Sequence, residues 1–328
     1  MADTDTPLAK PIVIAHRGAS GLRPEHTIAS YTLAIEQGAD FIEPDLVPTR
    51  DDVLVARHEN NITDTTDVAD HPEFAARKTS KTIDGTRMTG WFAEDFTLAE
   101  LKTLRAKERL PQLRPDNAHY DGQFEIPTFA EIIALAKRHK VGVYPETKHP
   151  TYFASIGHPT DALLIAELEK AGWNRSDAPV FIQSFEVNNL KRLHAQTNVR
   201  LIQLIDASGA PADGAAPSYA AMATPAGLKA VAAYAFGIGP NKDMVRKGDA
   251  APSSLVADAH EAGLAVHPWT FRAENFFLSS SLRNGLNPRT HGRIQDDIAR
   301  QLELGIDGFF TDFPLDGAQA RDRFSAGH

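Results

Sequence analysis

Glu43 and Asp45 stand two residues apart in the run ADFIEPDLV, residues 39–47. On a strand that spacing points both carboxylates to one face. Side by side they repel unless a proton or a cation intervenes. Glu146, near the end of VGVYPET (141–147), would complete an all-oxygen cluster. Oxygen ligands with no cysteine and no H-E-x-x-H helix favour Ca²⁺ or Mg²⁺ over zinc. The plainer alternative is polar residues on a strand edge, with Lys148 as a salt-bridge partner.

Two histidines flank that strand. His16 ends the run PIVIAH and His58 ends VLVARH. Imidazole suits proton transfer near neutral pH, one ring taking a proton from a hydroxyl or water and the other protonating a leaving alkoxide. The chain has 13 histidines, so any one taken alone reads as structural or exposed. That reading applies to His71, His119, His158, His194, His260 and His328, and to His26, taken as hydrogen-bonding support for its loop. Arg17 can hold phosphate or carboxylate oxygens in a bidentate fork, and Lys148 adds a point charge. Charge balance for Glu25, Glu43 or Glu146 is compatible with both roles. Gly18 and Gly21 allow a tight loop beside these groups. Trp269, at a strand end, is placed to wall a substrate pocket; Trp91, Phe92 and Phe185 read more simply as packing. Gln183, Ser184 and Asp312 read as hydrogen-bonding supports, and Ser184 lies in no G-x-S-x-G elbow.

These residues need a scaffold that delivers them to one place. Strand-like runs alternate with amphipathic stretches along the chain. The expected helices cover 27–37, 128–139, 159–171, 186–196, 252–262 and 292–304. The expected strands include 11–16, 39–47, 141–147, 179–185, 199–205, 232–239, 264–270 and 307–314. Residues 59–125 break the rhythm, with one short helix candidate at 97–107, and read as an inserted lobe. Residues 206–226 look like a second excursion. About eight β–α units point to a (β/α)₈ TIM barrel forming one domain over 1–328. A doubly wound sheet is the alternative, weakened by the lack of a G-x-G-x-x-G fingerprint. In a barrel, active-site groups sit at the C-terminal strand ends, where His16, Glu43, Glu146, Gln183, Gln203, Asn241, Trp269, Thr311 and Asp312 fall.

A net charge of −9 argues against a nucleic-acid surface and against strong attraction to anionic lipid. The absence of cysteine excludes disulfides, zinc thiolates and a cysteine nucleophile. No apolar run approaches a membrane span. The polar start MADTDTPLAKP carries no signal-peptide core. A cytoplasmic location is expected of a chain that begins this way, and a periplasmic or secreted one if an export signal has been removed.

The segments HRGASGLRPEHT, GADFIEPDLVPTRDDVLVARHE, YPETK and GFFTDFP, in that order, resemble the glycerophosphodiester phosphodiesterase family. HENNITDTTDVADHPEFAARK looks like its bacterial periplasmic branch. The resemblance implies a TIM barrel with an inserted lobe and hydrolysis of a small-molecule glycerophosphodiester to glycerol 3-phosphate and an alcohol. By motif, His16 and His58 match the acid–base pair. Glu43, Asp45 and Glu146 match the ligands of a divalent cation, Ca²⁺ or Mg²⁺. Arg17 matches the phosphate-contacting arginine and Lys148 the basic residue beside the third ligand. Pro44 departs from the apolar or amide residue of many relatives, and His26 from the asparagine of a P-E-N-T version. No oligomeric state is implied. Two other functions fit the same scaffold: a phospholipase or lysophospholipase D-type phosphodiesterase, and a barrel that binds without turnover.

Overall fold

The structure, a computed structural model, describes residues 10–327. The polar N-terminal segment up to Ala9 and His328 lie outside the described residues.

Eight parallel strand positions form a ring. They begin with Ile12–His16 and Phe41–Glu43, the latter continuing past Pro44 as Asp45–Pro48. Gly142–Val143 continues as Glu146–Thr147, and Phe181–Ser184, Arg200–Ile205, Gly237–Pro240, Ala265–Val266 and Gly308–Thr311 follow. Pairing is parallel from each to the next. The last strand pairs with the first, Ile12 opposite Gly308. The seventh reaches the eighth through Asp307 N to Val266 O and Phe310 N to Pro268 O, both 3.0 Å. The ring therefore closes, and the doubly wound alternative is set aside.

Helices alternate with the strands as an outer layer: Ile28–Glu36, Phe129–His139, Thr160–Lys170, Val187–His194, Pro225–Val231, Leu255–Glu261, Ile294–Leu302 and Pro314–Gly327. Phe129–His139 shows why such segments are helical. Thr128 and Glu131 make a reciprocal capping box. Phe129, Ile132, Ile133 and Ala136 bury one stripe, and basic residues in the last turn complement the helix dipole.

Strand parity divides the core. Val13, Ala15, Ile42, Val143, Ile182 and Phe309 face the helices. Ile14, Phe41, Tyr144, Phe181, Ile202 and Phe310 fill the barrel interior. Two residues beyond five of these interior positions stand His16, Glu43, Glu146, Gln183 and Asp312. The period of two that buries an apolar ring thus raises a polar ring above it.

Residues 59–125 differ in part from the expected lobe with a single helix. An antiparallel ribbon pairs Thr79–Ile83 with Thr86–Gly90. Its turn is Asp84-Gly85, both at positive φ, a dipeptide suited to tight hairpins. The helix expected at 97–107 spans only Leu98–Leu101; beyond it Asp67 and Arg105 exchange hydrogen bonds that draw the chain out extended. Val68, Phe74, Trp91, Phe96 and Leu104 form a separate apolar cluster there. Trp91 and Phe92 are buried in this region rather than in the barrel mouth.

Candidate active site

Register brings the polar residues together. His16 lies opposite Glu43, Asp45 opposite Glu146, and Glu146 opposite Gln183. His58 arrives by a different route. Leu54–Ala56 doubles back antiparallel to Asp45–Pro48, and Arg57 N donates to Asp45 O at 2.9 Å. His16, Arg17, Glu43, His58, Glu146, Lys148 and Trp269 line one cavity of about 320 Å³ with Phe185. Asp45 is buried beside it.

Glu43, Asp45 and Glu146 each offer an oxygen within 4.8 Å of the others'. The surrounding contacts aim them. Arg17 N and Gln183 Nε2 donate to the two oxygens of Glu43 at 2.8 and 3.1 Å. Lys148 Nζ lies 3.0 Å from Glu146. Burial, then the neighbouring Asp45, raises Glu43 well above the usual carboxylate range. Burial, only partly offset by Lys148, pushes Glu146 up to about 8. Burial also opposes ionisation of Asp45, but Lys148, the His26 hydrogen bond and Arg17 hold it well below its usual value. A buried carboxylate triad that cannot fully ionise on its own fits a divalent cation, whose charge would replace the missing protons.

His16 Nδ1 sits 2.6 Å from Asp312 Oδ1, which leaves Nε2 for the cavity. Burial and then Arg17 lower its pKa to about 4, with Asp312 pulling the other way. His58 is more open and pairs with Glu59 at 3.1 Å. Burial, Arg17 and Lys148 lower its pKa as well. Neutral imidazoles beside Arg17 and Lys148 can accept a proton, and a bound phosphodiester monoanion would bring their affinity for it back up.

Arg17 adopts φ 61, a left-handed conformation uncommon for a side-chain-bearing residue. Gly18 continues the turn at φ 88, and a Cβ there would stand 2.4 Å from Ser30 Oγ. The chain thereby reverses at the end of the first strand and swings the guanidinium over the barrel mouth. Arg17 Nη1 bonds Glu25 Oε2 at 2.9 Å, and its Nε lies 3.3 Å from Asp45. Trp269 is held by Nε1 to Gly239 O at 2.8 Å and meets Phe185 edge-on at 5.8 Å.

His26 is more than a loop support: Nε2 holds Asp45 Oδ2 at 2.9 Å and Nδ1 meets Tyr31 Oη at 2.8 Å. Phe185, read as packing, lines the cavity. Gln203, Asn241 and Thr311 turn to structural bonds with Tyr234, Asp206 and the Phe271 carbonyl. Leu204 and Asp206 take the cavity wall instead, as strand parity beyond Ile202 would have indicated. Arg114 and Arg272, which grip Asp312 at 2.6 and 2.9 Å, carried no local signal.

No described helix is long and apolar enough to cross a membrane. A glycerophosphodiester phosphodiesterase of Arabidopsis thaliana, GDPD6, is 38% identical over 93% of this chain and 84% of that protein. One from Haemophilus influenzae is 29% identical, covering 97% of this chain and 92% of that protein. Among solved structures, a phosphodiesterase of Oleispira antarctica in complex with the product sn-glycerol-3-phosphate superposes with a TM-score of 0.66 at 23% identity, over 95% of this chain and 97% of that one. Residues 16–316 match the Glycerophosphoryl diester phosphodiesterase family, and the chain belongs to that family.

Proposed function

We propose that this protein hydrolyses small-molecule glycerophosphodiesters to glycerol 3-phosphate and an alcohol, as one barrel domain with residues 59–125 inserted. The observation that carries the reading is the convergence on one cavity of two histidines, two cations and a buried carboxylate triad. Glu43, Asp45 and Glu146 would hold a hard divalent cation, Ca²⁺ or Mg²⁺. When bound, that ion supplies positive charge against the negative charge developing on the phosphate oxygens.

The chain's own groups do the rest. Arg17 and Lys148 bind the non-bridging oxygens and orient the phosphorus. Trp269 and Phe185 pack against the carbon skeleton and keep water away from that wall. His16 and His58 divide the proton work: one takes a proton from the attacking hydroxyl or water, and the other delivers one to the departing alkoxide. Asp312 fixes His16 with its Nδ1 proton turned inward, so Nε2 is the reactive atom.

The test is release of glycerol 3-phosphate from glycerophosphocholine, glycerophosphoethanolamine and glycerophosphoglycerol, with Ca²⁺ or Mg²⁺ supplied and a lysophospholipid as comparison. Wild type should release product, and His16→Ala or His58→Ala should each lower turnover about 10²–10⁴-fold. Inactivity on every diester, or near-normal turnover in either folded variant, would overturn the assignment.

A further inference from the structure

Two chains of ion pairs run from residues 59–125 into the cavity wall. In the first, Arg114 Nη2 holds Asp312 Oδ2 at 2.6 Å, and Asp312 Oδ1 holds His16 Nδ1 at 2.6 Å. In the second, Arg109 Nε holds Glu25 Oε2 at 2.9 Å, and the same oxygen holds Arg17 Nη1 at 2.9 Å. Neither Arg109 nor Arg114 lines the catalytic cavity. We propose that both are positioning residues of the active site, Arg114 acting through Asp312 on His16 and Arg109 acting through Glu25 on Arg17. This rests on the roles given above to His16 and Arg17.

The two chains do different physical jobs. Asp312 is almost wholly buried and has two oxygens to place. Arg114 and Arg272 both grip Oδ2, so the carboxylate cannot rotate and Oδ1 is left for the imidazole. Arg114 is itself fixed by Glu274 at 2.6 Å and the Ser20 carbonyl at 2.9 Å. Loss of Arg114 leaves Asp312 on a single, more exposed guanidinium. The orientation of His16 loosens, which slows the chemical step more than it weakens binding.

Charge balance governs the second chain. Arg17 faces Asp45 at 3.3 Å as well as Glu25, so a second guanidinium on Glu25 offsets part of the negative charge around it. Without Arg109, Glu25 acts on Arg17 alone, and Arg17 attracts the phosphate less strongly. That loss weakens substrate and product alike.

The experiment compares Arg114→Ala, Arg114→Lys, Arg109→Ala and Arg109→Lys in steady-state hydrolysis of glycerophosphocholine at saturating cation. Calorimetric binding of glycerol 3-phosphate provides a second readout. Arg114→Ala and Arg114→Lys should both lower kcat on the order of 10–100-fold and move KM less than about threefold. A lysine cannot span Glu274, Ser20 and Asp312, so charge alone does not rescue, and the lysine variant carries the comparison if the alanine variant fails to fold. Arg109→Ala should raise KM and weaken glycerol 3-phosphate binding by roughly three- to tenfold with kcat nearly unchanged, and Arg109→Lys should restore both. The proposal is overturned if folded variants at the two positions lose kcat and KM in the same pattern, or keep wild-type values. An inactive wild type, or an active His16→Ala control, would instead refute the underlying catalytic assignment.

Discussion

Glu43→Gln tests whether the buried triad is built around a cation. In the cation-free protein Glu146 holds its proton up to about pH 8, against an ordinary value of 4.5. Between those values the folded state binds a proton that the unfolded chain has released. Stability of the cation-free protein therefore falls as pH rises from about 4.5 to about 8. The Glu146 shift alone corresponds to at most about 5 kcal/mol across that window, at about 1.4 kcal/mol per unit. A bound cation removes this penalty, and its affinity should strengthen with pH until Glu146 is ionised. At a hundred times its dissociation constant the ion adds about 2.7 kcal/mol, or roughly 5 °C in Tm for a chain of this size. Glutamine at position 43 keeps the shape of a protonated Glu43, which burial and Asp45 already favour, and cannot ionise to hold a cation. Gln183 can turn its amide to suit, because its Oε1 has no partner. In chelator near pH 8, Glu43→Gln should melt at or above wild type, and on adding millimolar Ca²⁺ or Mg²⁺ it should lose most of the wild-type rise. Differential scanning fluorimetry near pH 5 and near pH 8, with chelator and with cation, reads both effects. A variant less stable than wild type in chelator that still gains the full cation shift would refute the reasoning.

Two further substitutions address the groups around the triad. Asp312→Asn should lower kcat about 10²–10⁴-fold while leaving glycerol 3-phosphate affinity nearly intact, because an amide donating to Nδ1 forces the His16 proton onto Nε2; unchanged turnover would show that Asp312 does not set the tautomer. His149 lies 3.0 Å from Glu59 and 2.5 Å from Asp84, and these bonds outweigh burial to raise its pKa to about 9. Its folded value exceeds the unfolded one, so this stabilisation is complete below about pH 6.5 and is lost as pH rises through about 9. The ceiling is about 3 kcal/mol, reduced by solvent screening. Urea unfolding between those pH values should show a declining wild-type stability even with cation present and a flatter profile for His149→Gln, and parallel profiles would exclude the role.

Local chemistry made much of the barrel legible. Alternation of strand and helix signals located the eight units, because an amphipathic stripe and a buried strand each leave a short-range pattern. The polar ring was legible too. Glu43 and Asp45 share a face by spacing, and His16 and Glu146 end apolar runs. Boundaries were less accurate. The strand expected over 232–239 begins only at Gly237, since Ala232 and its neighbours finish the preceding helix. The Thr79–Gly90 ribbon lies in a stretch expected to hold only one short helix, although Asp84-Gly85 marks its turn.

Residue type alone says which chemical groups the chain carries, and the strand period of two says which of them emerge at the strand ends. Their organisation into a working site was decided by tertiary structure. Asp312 meets His16 across 296 residues and Arg114 across 198, and His26 reaches Asp45 only because the loop folds inward at positive φ. Such contacts depend on barrel closure and on how residues 59–125 dock against the loop after the first strand. No local periodicity encodes them, because a charged side chain is satisfied equally well by any partner the fold brings within reach.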